Sequence, residues 1–313
     1  MTATPLHFPR IGQGDFTKDL DVTHAELVSL LELASAVKHS PAQYRSGLEG
    51  KSIALLFEKP SLRTRMTFEL AIQQLGGFSI LNDEPVGGRE PLKDVARNLD
   101  RWVSAIVART YLQSTVDDLA RWAKVPVVNA LSDMWHPCQV LADMQTIHEH
   151  IGTFRGTTLA FVGDGNNVAH SLMINAARLG MDFALANPPG YDADAAVIAQ
   201  ARAIAAQNGT TITITHDPGE AVRDAQVVYT DVWASMGDEN EAPQRRSAFS
   251  GYQVDEELFH QAEPRAIFMH CLPAKRGEEV TDSVIESPRS VVFDQAENRL
   301  HAQKALLLML LNK

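Results

Sequence analysis

Apolar residues at Leu27, Leu30, Leu31 and Ala34 recur at helical spacing, and Thr23 with Glu26 forms a capping box ahead of them, which predicts a first helix there. A short apolar run at 53–57 has strand length. It is followed by a helical face of Phe68, Ala71, Ile72 and Leu75 that stops at Gly76-Gly77. Further strand-like runs at 105–108 and 125–128 have helical segments between them. The same alternation returns with runs at 158–162, 183–186, 211–214, 226–229 and 266–269, and with a helix over 168–179 that ends at Gly180. Strands alternating with helices imply parallel strands joined by crossover helices. The predicted fold is α/β, with two doubly wound domains that each carry a central parallel sheet flanked by helices. The pattern divides the chain at 1–150 and 151–313, with a last helix from about 291 expected to pack back on the first domain. Residues 238–251 are polar and aperiodic, and are expected to form a mobile loop.

A chain of 313 residues exceeds the size at which one core stops growing, which agrees with two domains. The formal net charge of -11 argues against nucleic acid or an anionic membrane as a partner. No apolar run reaches the ~18 residues that span a bilayer. The start Met1-Thr2-Ala3-Thr4-Pro5 lacks the basic-then-apolar pattern of a secretory signal, so a cytoplasmic location is expected. Cys138 and Cys271 are too few for a disulfide framework in a chain of this length, which suits a reducing compartment.

Candidate chemistry starts at Ser61-Leu62-Arg63-Thr64-Arg65, which follows a buried strand and opens a helix. Free N–H groups and the positive end of the dipole make a helix start an anion site. Ser61 and Thr64 add hydroxyls, and Arg63 and Arg65 add charge and forked donors. The plainer reading is a surface arginine pair beside a helix cap. The segment is not a Walker loop, because G-x-x-x-x-G-K-[ST] is absent. Gly163-Asp164-Gly165-Asn166-Asn167 resembles a dinucleotide fingerprint, yet Val168 stands where its third glycine belongs. A nucleotide-binding oxidoreductase therefore stays open as an alternative. No metal is implied: His148 and His150 flank Glu149 without forming H-E-x-x-H, and Cys138 stands alone.

Residues Phe57-Glu58-Lys59-Pro60-Ser61-Leu62-Arg63-Thr64-Arg65 and His136-Pro137-Cys138-Gln139 resemble, respectively, the carbamoyl-phosphate motif and the H-P-x-Q motif of the aspartate/ornithine carbamoyltransferase family. Asp231-Val232-Trp233-Ala234-Ser235-Met236-Gly237 and His270-Cys271-Leu272-Pro273 resemble the segments of the ornithine-specific branch. The resemblance implies transfer of a carbamoyl group from carbamoyl phosphate to the δ-amine of L-ornithine, giving L-citrulline and phosphate in arginine biosynthesis. It also implies a homotrimer, with no cofactor because the donor is already activated. An acceptor such as acylated ornithine or putrescine is the nearest alternative, and a non-catalytic homologue a more distant one.

By the same resemblance, carbamoyl phosphate is held by Ser61, Leu62, Arg63, Thr64, Arg109, His136, Gln139, Leu272 and Arg299. Ornithine is held by Asn167, Asp231, Ser235, Met236 and Cys271. The catalytic groups would be Arg109, His136, Cys271 and Arg299. Read by position alone, Arg109 is a strand-end arginine, Asp231 a strand-end aspartate, Cys271 a small buried hydrophobe and Arg299 a solvated helix residue. Two departures from the family pattern stand out. Leu62 replaces a threonine, and Pro85 lies about where a glutamine or histidine reaches a neighbouring subunit, leaving Arg89 as the candidate substitute.

Overall fold

The computed structural model describes residues 9–234 and 239–311. Among the described residues, nine strands form two sheets: β1 Ser52–Phe57, β2 Phe78–Asn82, β3 Ala105–Arg109, β4 Val127–Leu131, β5 Thr158–Val162, β6 Asp182–Ala186, β7 Ile212–Thr215, β8 Val227–Thr230 and β9 Ile267–His270. The first sheet has the order β2-β1-β3-β4 and the second β7-β6-β5-β8-β9. Every pairing is parallel. In both sheets the order reverses once, between β1 and β3 and between β5 and β8. Such a reversal opens a crevice at the carboxyl ends of the strands, where doubly wound folds bind ligands.

The chain forms two compact units, Met1–Leu141 with Asn298–Lys313, and Ala142–Glu297. In the first, Ala54, Leu56, Ile106, Ala108, Val116 and Leu119 pack one side of the sheet. In the second, Val162, Val228 and Phe268 pack with Phe249, Phe259 and Trp233. The last helix, Val292–Leu311, contributes its residues from Asn298 onward to the first unit. Among the described residues no helix is long and apolar enough to cross a membrane.

Local signals placed the helix starts. Thr23 and Glu26 form the expected capping box on His24–His39. Ser61 caps Leu62–Gln74 by accepting the Thr64 N–H at 3.2 Å. Gly180, in the left-handed region at φ 81°, ends Asn167–Leu179. Two elements depart from the sequence reading. Strand β2 follows Gly76-Gly77 directly, and as an edge strand it leaves Phe78 and Ile80 exposed. Residue 238 lies outside the described residues, but 239–251 is structured, with a 3-10 turn Glu239–Glu241 and a helix Ala242–Ala248. That helix is held down by Phe249, which is fully buried against Tyr191, Trp233 and Tyr252. One aromatic anchor after a polar stretch gives no periodicity to read, so the expectation of a mobile loop there is corrected.

Candidate active site

In the first unit, the helix Leu62–Gln74 begins just beyond the carboxyl end of β1, beside the β1/β3 reversal. Its free N–H groups and dipole therefore face the crevice end of the sheet. Arg109 closes β3, where the pairing with β4 slips: Ala108 pairs with Asn129, and Arg109 with Leu131. A register slip of this kind re-aims the side chain that follows it. His136 leads into the helix Pro137–Ile151, and its carbonyl accepts the N–H groups of Gln139 and Val140 at 3.0 and 3.3 Å. The turn before it is set by Ser132, whose hydroxyl accepts from Trp135 N at 3.1 Å and donates to Gln113 Oε1 at 2.6 Å. Arg299 projects from the last helix, with Nη2 donating to Thr64 Oγ1 at 3.0 Å and Nη1 to Gln139 Oε1.

Thr64, Arg109, His136, Gln139 and Arg299 are all buried, and Ser61 and Arg63 are half-buried. Arg65 instead points outward and pairs with Glu69 at 3.0 Å. Burial, reinforced by the guanidinium groups of Arg299 and Arg109, holds the His136 pKa well below the usual histidine value. The imidazole is therefore neutral near pH 7 and can donate from a single N–H. Burial likewise pushes the Cys138 thiol up to about 12, and its S–H is spent on the Asn129 carbonyl at 3.3 Å. That thiol is structural. The result is a cationic crevice with hydroxyl, amide and imidazole donors, suited to a phosphate beside a polarisable carbonyl.

In the second unit, Asp231 follows β8 at the β5/β8 reversal. It is buried and, among the described residues, has three partners: Oδ1 accepts from Val232 N at 2.8 Å and Cys271 Sγ at 3.0 Å, and Oδ2 from Asn166 Nδ2 at 3.0 Å. Asn166 also caps the helix Asn167–Leu179 through Val168 and Ala169. Cys271 and Leu272 follow β9. Leu272 has φ 57°, a conformation costly for a branched side chain. Its N–H donates to His270 Nδ1 at 2.8 Å, and His270 Nε2 contacts the buried Glu279 at 3.0 Å. Asp231, His270 and Cys271 bring potential metal-ligating atoms within 4.8 Å of one another, but both ring nitrogens of His270 are taken up by these two bonds.

The glycine-rich segment after β5 is also spoken for. A Cβ on Gly165 would lie 2.1 Å from Ala193 N, so this glycine serves close packing of two loops. Asp164 is paired at 2.8 Å with Arg245, which also donates to the Trp233 carbonyl at 3.0 Å. These roles account for the segment without a dinucleotide.

Family models match nearly the whole chain: the carbamoyl-P binding domain of aspartate/ornithine carbamoyltransferase over residues 14–149, and its Asp/Orn binding domain over residues 155–310. The chain belongs to the aspartate/ornithine carbamoyltransferase family. It is 52% identical over 296 residues to an ornithine carbamoyltransferase of Thermococcus kodakarensis, covering 93% of this chain and 94% of that one. An anabolic ornithine carbamoyltransferase of Pyrococcus furiosus is also 52% identical over 296 residues, with 93% and 94% covered. A solved structure of ornithine carbamoyltransferase from Pyrococcus furiosus superimposes with a TM-score of 0.93 at 50% identity, covering 96% of this chain and 98% of that one.

In this carbamoyltransferase chain, the residues expected at the two substrate sites fall into two clusters, one in each unit. Thr64, Gln139 and Arg299 are joined by hydrogen bonds, and the charges of Arg109 and Arg299 bear on His136. Asp231 and Cys271 are joined directly. Asn167 opens its helix half-buried, while the residue bonded to Asp231 is its neighbour Asn166, which the sequence reading did not single out. Ser235 and Met236 lie outside the described residues. The signal that could have found Asn166 is its place before an apolar helical run, where asparagine both caps and presents an amide.

The depressed pKa of His136 has a consequence for stability. The unfolded chain takes up this proton near 6.5, whereas the folded protein takes it up only at lower pH. Its contribution is therefore intact above about 6.5 and is lost as pH falls from there through the folded value. Unfolding free energy, measured by denaturant titration from pH 7.5 to 5, should fall more steeply in the parent than in His136→Gln. Equal slopes would contradict the assignment.

Proposed function

We infer that the protein transfers the carbamoyl group of carbamoyl phosphate to the δ-amine of L-ornithine, giving L-citrulline and phosphate, as a step of arginine biosynthesis. The observation that carries this reading is the Asp231–Cys271 pair, bonded at 3.0 Å at the carboxyl ends of adjacent strands β8 and β9. Residues 1–150 form the carbamoyl-phosphate-binding domain and residues 151–313 the ornithine-binding domain, with the last helix returning to the first. The enzyme works as a homotrimer in the cytoplasm and needs neither metal nor cofactor. Its net charge of -11 speaks against nucleic acid as a partner.

The phosphate group is bound by Ser61, the backbone of Leu62, Arg63 and Thr64. Arg109 and neutral His136 donate to the carbonyl oxygen as it becomes an oxyanion, and Arg299 and Gln139 hold the rest of the carbamoyl group. Binding the donor this way eases departure of phosphate and favours the tetrahedral intermediate over the ground state. Asn167 and Asp231, with Ser235 and Met236, hold the α-amino end of ornithine, Cys271 meets the δ-amine, and the carbonyl of Leu272 lines both the δ-amine and the carbamoyl group. A free δ-amine has a reference pKa near ~10.4, so the site must take its neutral form, and uncharged acceptors suit that form. Asp231 supports free ornithine over an acylated one, because an acyl group removes the charge that a carboxylate pairs with. Putrescine keeps a second ammonium but lacks the α-carboxylate, so only part of the amino-acid end is left to anchor it.

The test is phosphate release that requires both substrates and matches citrulline one for one. Release without ornithine, or none with it, would end this reading. Because attack by the amine is direct, Cys271→Ser should still turn over, with the ornithine KM raised roughly two- to tenfold for a weakened bond of ~0.5–1.5 kcal/mol. Loss of all turnover in the folded variant, together with a carbamoyl-thiol adduct trapped on the parent, would require a covalent path.

A further inference from the structure

Glu58 lies inside the segment that binds phosphate in the function proposed above, where a negative charge works against an anionic ligand. Its surroundings give it another task. The carboxylate is half-buried and both oxygens are engaged by backbone donors from different loops. Oε1 accepts Val86 N at 3.3 Å, from the loop after β2, and Oε2 accepts Tyr111 N at 3.1 Å, from the loop after β3. The backbone N–H of Glu58 itself donates to the Arg109 carbonyl at 2.9 Å. One residue at the end of β1 thus ties together the loops that follow β2 and β3, and grips the chain on both sides of Thr110. It does so where the β3/β4 register slips and the ladder to β4 no longer fixes Arg109 regularly. Glu58, Lys59, Ser61, Leu62, Arg65 and Asp83 line one cavity of about 540 Å³, so the tie forms part of the wall beside the helix start.

We propose that Glu58 is a positioning residue for carbamoyl phosphate: it sets the aim of Arg109 and the placement of the loop at 83–91, and touches no substrate. The inference rests on the carbamoyl-phosphate reading of this unit. A carboxylate is required because two N–H groups converge on one side chain. A glutamine offers one acceptor oxygen, and its NH2 would face the second N–H, donor against donor.

Charge and positioning make opposite forecasts for Glu58→Gln. Removing a negative charge beside a phosphate site should tighten carbamoyl phosphate binding, whereas loosening the tie should weaken it. The experiment measures carbamoyl phosphate affinity by calorimetry, steady-state constants for both substrates, and amide exchange at Val86 and Tyr111, in the parent and in Glu58→Gln. Expected are carbamoyl phosphate binding weaker by at least fivefold, an ornithine KM within twofold, and faster exchange at those two amides. If Glu58→Gln does not fold, Glu58→Asp keeps the charge while withdrawing the carboxylate by one methylene, and should weaken carbamoyl phosphate binding in the same way. Tightened or unchanged affinity in the folded variant, or unchanged exchange at both amides, overturns the positioning role. A parent that does not bind carbamoyl phosphate overturns instead the functional reading on which it rests.

Discussion

Arg109→Ala is expected to lower kcat by at least about a hundredfold with both substrates saturating, the range seen when a donor to a developing oxyanion is removed. Arg109 is 4% exposed, and its charge helps to hold His136 neutral. In a buried site a guanidinium acts with little screening, and its planar fork can meet phosphate and carbonyl oxygens together. Arg109→Lys supplies a point charge without the fork and should recover only part of the loss. Removing Arg109 also removes a cation that bears on His136. The histidine should then protonate at higher pH, and the acid limb of the activity profile should move upward in Arg109→Ala. Steady-state kinetics across pH read both effects. A kcat within threefold of the parent in the folded variant would remove Arg109 from the chemistry.

Asp231→Asn should raise the ornithine KM by roughly ten- to a hundredfold, since a hydrogen bond to a charged group is worth ~1.5–3 kcal/mol. Carbamoyl phosphate affinity should hold, because Asp231 belongs to the other unit. Part of the cost comes from the partners left behind. Asn166 and Cys271 both donate to Asp231, and an asparagine with one acceptor oxygen cannot satisfy both of them and Val232 N. A KM within threefold, with kcat unchanged, would mean that another group meets the α-ammonium.

What the sequence made legible was what is local. The caps at Thr23 and Ser61, the stop at Gly180 and the apolar runs of eight strands each follow from a few neighbouring residues. Strand β2 was not legible, because as an edge strand it keeps polar and exposed positions and follows two glycines that read as a terminator. β4 lies a little downstream of its apolar run, since Pro126 supplies no N–H to a ladder and Asn129, though polar, is buried inside the strand. The candidate site was legible mostly through resemblance. Arg299 and Gln139 are 160 residues apart, and Cys271 and Asp231 are 40 apart, so no spacing rule links them. Asn166 and Glu58 escaped for a different reason. Each acts through bonds to residues far along the chain, and each has an ordinary local reading, as a helix cap and as a charged residue after a strand.

In the proposed function, the acceptor is chosen at the Asp231–Cys271 end of the site. The most direct measurement is kcat/KM for carbamoyl transfer with L-ornithine, N-acetylornithine and putrescine under one set of conditions. N-acetylornithine lacks the charged α-amino group and leaves the buried carboxylate unpaired by substrate, so ornithine should lead it by at least about a hundredfold; putrescine keeps a second ammonium and loses only the anchoring of the α-carboxylate, so ornithine should lead it by a smaller factor. N-acetylornithine or putrescine used as well as ornithine would contradict the account.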